Sequence, residues 1–318
     1  MMPSLLIAAA VLAAQGVPSA PVPTGNVIRS EANGALEGYL LTPAGKAKAT
    51  MLLIPGSGPT DRDGNNPIGV KAAPYRKLAE ALVTRGVATL RIDKRGMFGS
   101  AGAGNPNEAT FADYDGDVRA WVDTARRRTG QKCVWVAGHS EGGLVALRAA
   151  AEPNVCGIVL IATPGERMGD TIRKQLRANP ANAPILASAE KALGELEAGR
   201  KVSVTGLHPV LAQGLFNPAV QGFMIELLAQ DPAKLAAGVK RPMLIVQGGH
   251  DVQVDTANGE VFRKAAPKAA YVLFPAMSHV LSDAPADRSQ NLATYAEADR
   301  PLTPGLAERI AAFVTGKK

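Results

Sequence analysis

Short, unbroken apolar runs recur along the chain, separated by longer stretches in which apolar positions return every third or fourth residue. Residues 50–54, 87–92, 132–137, 155–162, 242–247 and 271–274 are such runs. Their length and β-branched content suit strands buried on both faces. Residues 75–85 and 113–129 carry helical spacing, the first stopping before Gly86, and residues 144–150 are rich in Ala and Leu, which favour helix. Residues 27–30 and 36–42 flank Asn33-Gly34, a hairpin turn signal, so the domain is expected to open with antiparallel strands. The β-α alternation that follows predicts an α/β domain with a mostly parallel sheet and helices on both faces.

Between residues 163 and 240 the alternation stops. Helices are expected over 170–179, 183–198 and 220–229, broken by Pro180, Pro184, Pro209 and Pro218. The chain therefore divides into a leader (1–24), the first part of the core (25–162), a helical cap inserted before the next strand (163–240), and the second part of the core (241–318). Leu215, Phe216, Phe223 and Met224 are expected as substrate-binding walls on the cap, together with Leu207 and Leu211. The alternative for each is that it buries the cap against the domain.

Residues 5–14 form an apolar stretch followed by small residues and by Pro18, Pro21 and Pro23. This is the pattern of a secretory signal, with cleavage allowed after Gly16 or Ser19, and it is too short to span a bilayer. Export, to a bacterial periplasm or beyond, is the expectation, without stable membrane insertion. The chain's 318 residues, 46% hydrophobic, allow one large α/β domain with an insertion. Its net charge of +7 is scattered and no nucleic-acid motif accompanies it, so no nucleic-acid partner is expected. The one basic cluster, Arg126-Arg127-Arg128, stands before Gly130, where cations suit a helix C-terminus.

Gly138-His139-Ser140-Glu141-Gly142 lies between the strand at 132–137 and the helix at 144–150. A serine on such a sharp turn has its hydroxyl held above the sheet edge, and the flanking glycines let strand and helix pass closely. Asp251 follows the strand at 242–247, and His279 follows the strand at 271–274. Loops after parallel strands converge on one edge, so Ser140, His279 and Asp251 are predicted as nucleophile, base and orienting acid. Of the other histidines, His139 is expected to pack beside the turn, His250 to point away from Asp251, and His208 to lie on the cap. Asp255 and Asp283 are the alternative acids. The oxyanion donors are expected to be the backbone N–H groups of Glu141 and of Ser57, the latter in the loop after the strand at 50–54.

With these motifs in place, the chain resembles bacterial serine carboxylesterases of the α/β-hydrolase superfamily, in the esterase or serine-aminopeptidase-like branch. The resemblance is carried by Gly56-Ser57-Gly58-Pro59-Thr60-Asp61-Arg62-Asp63, Asp93-Lys94-Arg95-Gly96, the segment around Ser140, and Gln247 to Val254. Leu215-Phe216-Asn217-Pro218 and Asp231-Pro232-Ala233 add a less specific match. It implies the α/β-hydrolase fold, an acyl-enzyme route, a small-molecule ester of short-to-medium acyl chain as substrate, and no cofactor. Peptide, amide or thioester cleavage by the same triad is the alternative. Phe98 departs from the family's R-G-x-G-x-S pattern and leaves the shape of that loop open. In this fold the strands opened by Cys133 and Cys156 are parallel neighbours, which allows a disulfide in an oxidising compartment; two buried thiols are the alternative. Asp61 to Asn66 fails the calcium-loop pattern, and no histidine has metal-ligand spacing, so no metal is expected. The carboxylates of that loop are expected to brace it by local hydrogen bonds and by pairing with Arg62.

Overall fold

The computed structural model describes residues 23–316. The leader at residues 1–22, with the expected signal and its cleavage points, lies outside the described residues. Eight strands form one sheet: β1 (Thr24–Arg29), β2 (Glu37–Thr42), β3 (Ala49–Ile54), β4 (Val87–Ile92), β5 (Val134–His139), β6 (Val155–Ile161), β7 (Met243–Gly248) and β8 (Ala270–Phe274). Their spatial order is β1-β2-β4-β3-β5-β6-β7-β8. The β1–β2 and β2–β4 pairs are antiparallel and all others are parallel. The hairpin predicted at Asn33-Gly34 is present, with β1 beginning at Thr24, earlier than expected.

The apolar runs do not alternate with polar residues because both sheet faces are covered. Leu52 and Ile54 of β3, Val136 of β5, and Ile158 and Leu160 of β6 join one core. Met51 and Leu53, Ala137, and Val159 and Ile161 of the same strands join the other. The first core is closed by α2 (Phe111–Thr129), α3 (Glu141–Ala149) and α8 (Thr256–Ala265). The second is closed by α1 (Pro74–Val83) and, after the short α9 (Arg288–Ala293), by α10 (Leu306–Thr315). The arginine triplet occupies the last turn of α2, ahead of Gly130 in a left-handed conformation.

Residues 163–240 carry α4 (Met168–Arg177), α5 (Leu186–Glu197), α6 (Gln221–Leu228) and α7 (Pro232–Gly238). The first three match the predicted helices to within a few residues, with the prolines at 180 and 184 in a short 3₁₀ stretch before α5. The unpredicted α7 is set by the Asp231 side chain, which accepts from Lys234 N at 3.0 Å, and by Pro232 in its first turn. Cys133 and Cys156, at the starts of β5 and β6, are joined in a disulfide with Cα atoms 5.2 Å apart. Phe98 stands at φ 46°, the left-handed region that favours glycine. The loop thus keeps a glycine-like shape without the glycine.

Candidate active site

The strand order reverses between β3 and β5, and in open α/β sheets ligands bind at such a switch point, beyond the strand C-termini. Ser140 sits there, between β5 and α3, at φ 53° and ψ −126°. Such backbone strain costs on the order of 1–3 kcal/mol and persists only where the surroundings enforce it. Here the enforcement is sheet pairing and close packing. Ser140 N donates to Ile161 O at 2.9 Å. A Cβ on Gly138 would overlap the Gly142 carbonyl, and one on Gly142 would press on the carbonyls of Ile54 and Pro55.

Asp251 follows β7 and His279 follows β8, and backbone hydrogen bonds lace the two loops together, His250 N to Met277 O at 3.1 Å among them. His279 Nδ1 donates to Asp251 Oδ2 at 2.8 Å, both side chains being buried. Asp251 Oδ1 accepts from Gln253 N and Val254 N at 2.8 and 2.9 Å. Both carboxylate oxygens are thus engaged, and a neutral ring that donates through Nδ1 accepts through Nε2. His279 and Ser140 line one cleft of about 110 Å³ with Ser57, Thr60, Asn66, Val70, Tyr75, Gln253, Val280 and Tyr295. Among the described residues no hydrogen bond joins the Ser140 hydroxyl to His279. Catalytic hydrogen bonds often tighten only once substrate is bound.

The rival residues are engaged elsewhere. His250 Nδ1 donates to Ala284 O at 2.6 Å, away from Asp251. His208 accepts from Val210 N in the 163–240 segment. Asp255 precedes α8 and takes Asn258 Nδ2, while Asp283 takes the Thr303 hydroxyl. His139 is buried beside the turn, its ring centroid 4.6 Å from that of His279. Its Nε2 donates to His279 O at 2.8 Å, so Nδ1 accepts from the Tyr75 hydroxyl at 2.8 Å. The Tyr75 oxygen in turn accepts from Gly56 N at 3.1 Å. Burial, and then the neighbouring His279, hold the His139 pKa well below its usual 6.5. Burial also pushes the Tyr75 hydroxyl pKa far up. Both rings therefore stay neutral links in one polar chain from the loop after β3 to the backbone of His279.

Two expectations meet a different setting in the structure. Leu215, Phe216, Phe223 and Met224 are not among the residues lining this cleft. Phe216 and Met224 are buried in the main core, with Leu215 and Phe223 packed against it. Phe223 stacks on Phe111 at 5.4 Å and meets Tyr114 edge-on at the start of α2. Their apolar area goes into seating the segment on the core. The loop after β3 is also braced differently. Asp61 does accept locally, from Asp63 N and Asn65 N, but Arg62 reaches outside the loop to Glu37 and Asp93. Asp63 pairs with Arg91 and Arg76 instead.

Tyr75, Gln253, Val280 and Tyr295 were not singled out from the sequence. Tyr75 falls in the apolar spacing of α1, where it reads as core, and only the pairing of β3 with β5 brings it to the turn. Among the described residues no cluster of three metal-ligating side chains occurs, and no helix is long and apolar enough to cross a membrane.

A strained serine at a strand-to-helix turn, above a mostly parallel sheet and beside a His–Asp pair, defines the α/β-hydrolase class. Residues 51–290 match the alpha/beta hydrolase family, and the chain belongs to that family. It is 26% identical over 234 residues to esterase EstD of Thermotoga maritima, a match covering 72% of this chain and 53% of that protein. The chain thus spans about half the length of that relative. The Pyrococcus furiosus esterase Pf2001 superposes with a TM-score of 0.54 at 16% identity, over 93% of this chain and 92% of that one. Proline iminopeptidase of Mycobacterium smegmatis does so at 0.52 and 17%, over 92% and 97%. These two likenesses are of fold.

Proposed function

We propose that the protein is an exported serine hydrolase of carboxylic esters with short-to-medium acyl chains. The observation that carries the reading is the buried His279–Asp251 pair opening beside the strained Ser140 in one cleft. With Nδ1–H committed to Asp251, His279 Nε2 takes the Ser140 proton as Oγ attacks the ester carbonyl. The oxyanion is received by the N–H groups of Ser57 and Glu141, the latter a first-turn donor that a helix leaves unpaired. The imidazolium returns its proton to the leaving alcohol, and water then cleaves the acyl-enzyme by the same steps in reverse.

Esters are favoured over peptides with a free amino end because no Asp, Glu, Lys or Arg lines the cleft among the described residues. A buried ammonium needs a partner charge, and this cleft has none to give. The name of the Thermotoga relative, an esterase, agrees with this choice. Export rests on the apolar leader and accords with the Cys133–Cys156 bridge, since disulfides persist in oxidising compartments.

The test is hydrolysis of p-nitrophenyl acetate, butyrate and octanoate and of an aminoacyl p-nitroanilide by wild type and Ser140→Ala. Ester turnover should fall by at least about 10³-fold in the folded variant. Anilide turnover exceeding ester turnover would reverse the assignment to the peptidase alternative.

A further inference from the structure

The Asp93-Lys94-Arg95 motif follows β4 and takes no part in the reaction as described. Two of its side chains brace the scaffold. Asp93 accepts from Arg62 N, Arg62 Nε and Gly99 N. Arg95 forks onto Asp117 and reaches Asp113, both on α2. Lys94 does something else: its ammonium, on a side chain buried to all but 7%, donates to Gly56 O at 2.7 Å.

The place of that contact matters because of peptide geometry. Gly56 and Ser57 both line the cleft of Ser140, whereas Lys94 does not. Lys94 instead lines a separate small cavity with Glu141, Tyr114 and Trp121. The Gly56 carbonyl is therefore drawn away from the cleft. No peptide bond in the described chain is cis, and in a trans peptide the C=O and the following N–H point in opposite directions. The same peptide's N–H, that of Ser57, is thereby turned toward the cleft, where it meets no backbone acceptor among the described residues. The other side of Gly56 is fixed as well, its N–H being held by Tyr75.

Burying an ammonium is unfavourable without compensating charge. Burial draws the Lys94 pKa down, and the Glu141 carboxylate pulls it back up. Glu141 is itself buried and shares the cavity, whose roughly 20 Å³ is room for about one bridging water. On the proposed esterase reading the residue after the nucleophile serves twice, by its backbone N–H as an oxyanion donor and by its side-chain charge in the cavity it shares with Lys94.

We infer that Lys94 is a positioning residue of the oxyanion hole: by anchoring the Gly56 carbonyl it aims the Ser57 N–H at the oxygen of the reacting carbonyl. The inference rests on the serine-esterase reading above. Removing one oxyanion donor outright typically costs about 10²–10³ in kcat, so misaiming one should cost roughly tenfold to a hundredfold.

The experiment measures kcat and KM for p-nitrophenyl butyrate, and inhibition by an alkyl trifluoromethyl ketone, in wild type, Lys94→Met, Lys94→Gln and Lys94→Arg. The ketone adds the serine and becomes a hemiketal oxyanion, so it reports on the hole itself. Folding of each variant is judged by a cooperative urea transition. Lys94→Met should lower kcat roughly tenfold to a hundredfold with KM within about threefold, and weaken the ketone by a similar factor. Variants that keep a donor should lose less. Folded Lys94→Met with kcat and ketone affinity within threefold of wild type would overturn the inference. So would failure of all three variants to fold, which would make Lys94 a core residue only. Failure of the underlying reading looks different: wild type would ignore the ketone, and Ser140→Ala would keep its turnover.

Discussion

The hydrogen bonds from Gly56 N–H through the Tyr75 hydroxyl and the His139 ring to the His279 carbonyl leave no freedom in proton placement. A carbonyl only accepts, so each donor in the series is fixed by the one before it. Tyr75→Phe would strand the Gly56 donor and the His139 acceptor in a buried site. Each unsatisfied group costs about 1–3 kcal/mol, so urea denaturation should show a loss of about 2–6 kcal/mol. A change below 0.5 kcal/mol would mean that the series is not formed. The same geometry makes stability depend on pH. The folded state keeps His139 neutral well below its usual 6.5, whereas the unfolded chain binds a proton there. The unfolded state then holds more protons, so stability rises with pH through the window below about 6.5 and is lost as pH falls. Urea midpoints between pH 5 and 7 should show a slope approaching about 1.4 kcal/mol per pH unit at the acid end. In His139→Gln that slope should be shallower. The positions of Ser140, Asp251 and His279 were legible because each stands just past a recognisable strand. Tyr75 and Lys94 were not, since their partners lie 64 and 38 residues away and neither side chain breaks its local pattern.

At the scale of elements, the strands were the clearest signal because two-sided burial leaves them uninterrupted by polar residues. The helices α8, α9 and α10 were not among the predicted elements. All three lie in the last part of the chain, α8 between the loops that carry Asp251 and His279 and the other two beyond them. The start of α7 was written in Asp231-Pro232, a capping side chain before a first-turn proline. The disulfide acts between elements, closing a loop of 23 residues across the starts of β5 and β6. Loop-closure entropy for that length gives about 3 kcal/mol of stabilisation. Ser140 lies at the opposite end of β5, about 20 Å away at the rise of an extended strand. Cys133→Ser/Cys156→Ser should therefore unfold at lower urea by about 2–3 kcal/mol while keeping kcat within about twofold. A large fall in kcat with little loss of stability would contradict this separation of scaffold from site.

Across the whole molecule, the cleft is lined from the loops that follow β3, β5, β7 and β8, together with Tyr295, and no residue of the 163–240 segment lines it. Val70, Ala72, Val280 and Tyr295 form a small apolar cluster of their own, detached from both main cores, and three of them wall the cleft. Its roughly 110 Å³ has room for about four water-sized groups, so on the proposed esterase reading an acetyl or butyryl chain is expected to fit it better than an octanoyl one. Phe216, expected from the sequence either as an acyl wall or as cap-to-domain packing, is buried at 0% exposure. A helix's apolar face looks the same whether it meets substrate or core, and only tertiary packing separates the two. Turnover of p-nitrophenyl esters should therefore peak at acetate to butyrate and fall at least tenfold by octanoate. Phe216→Leu should cost about 1–3 kcal/mol of stability and leave the acetate-to-octanoate ratio unchanged. Tyr295→Ala, which removes an aromatic ring from the cleft wall, should raise octanoate turnover relative to acetate. If Phe216→Leu shifted that ratio and Tyr295→Ala did not, the acyl chain would run beneath the inserted helices, and the cleft beside Ser140 would belong to the leaving alcohol.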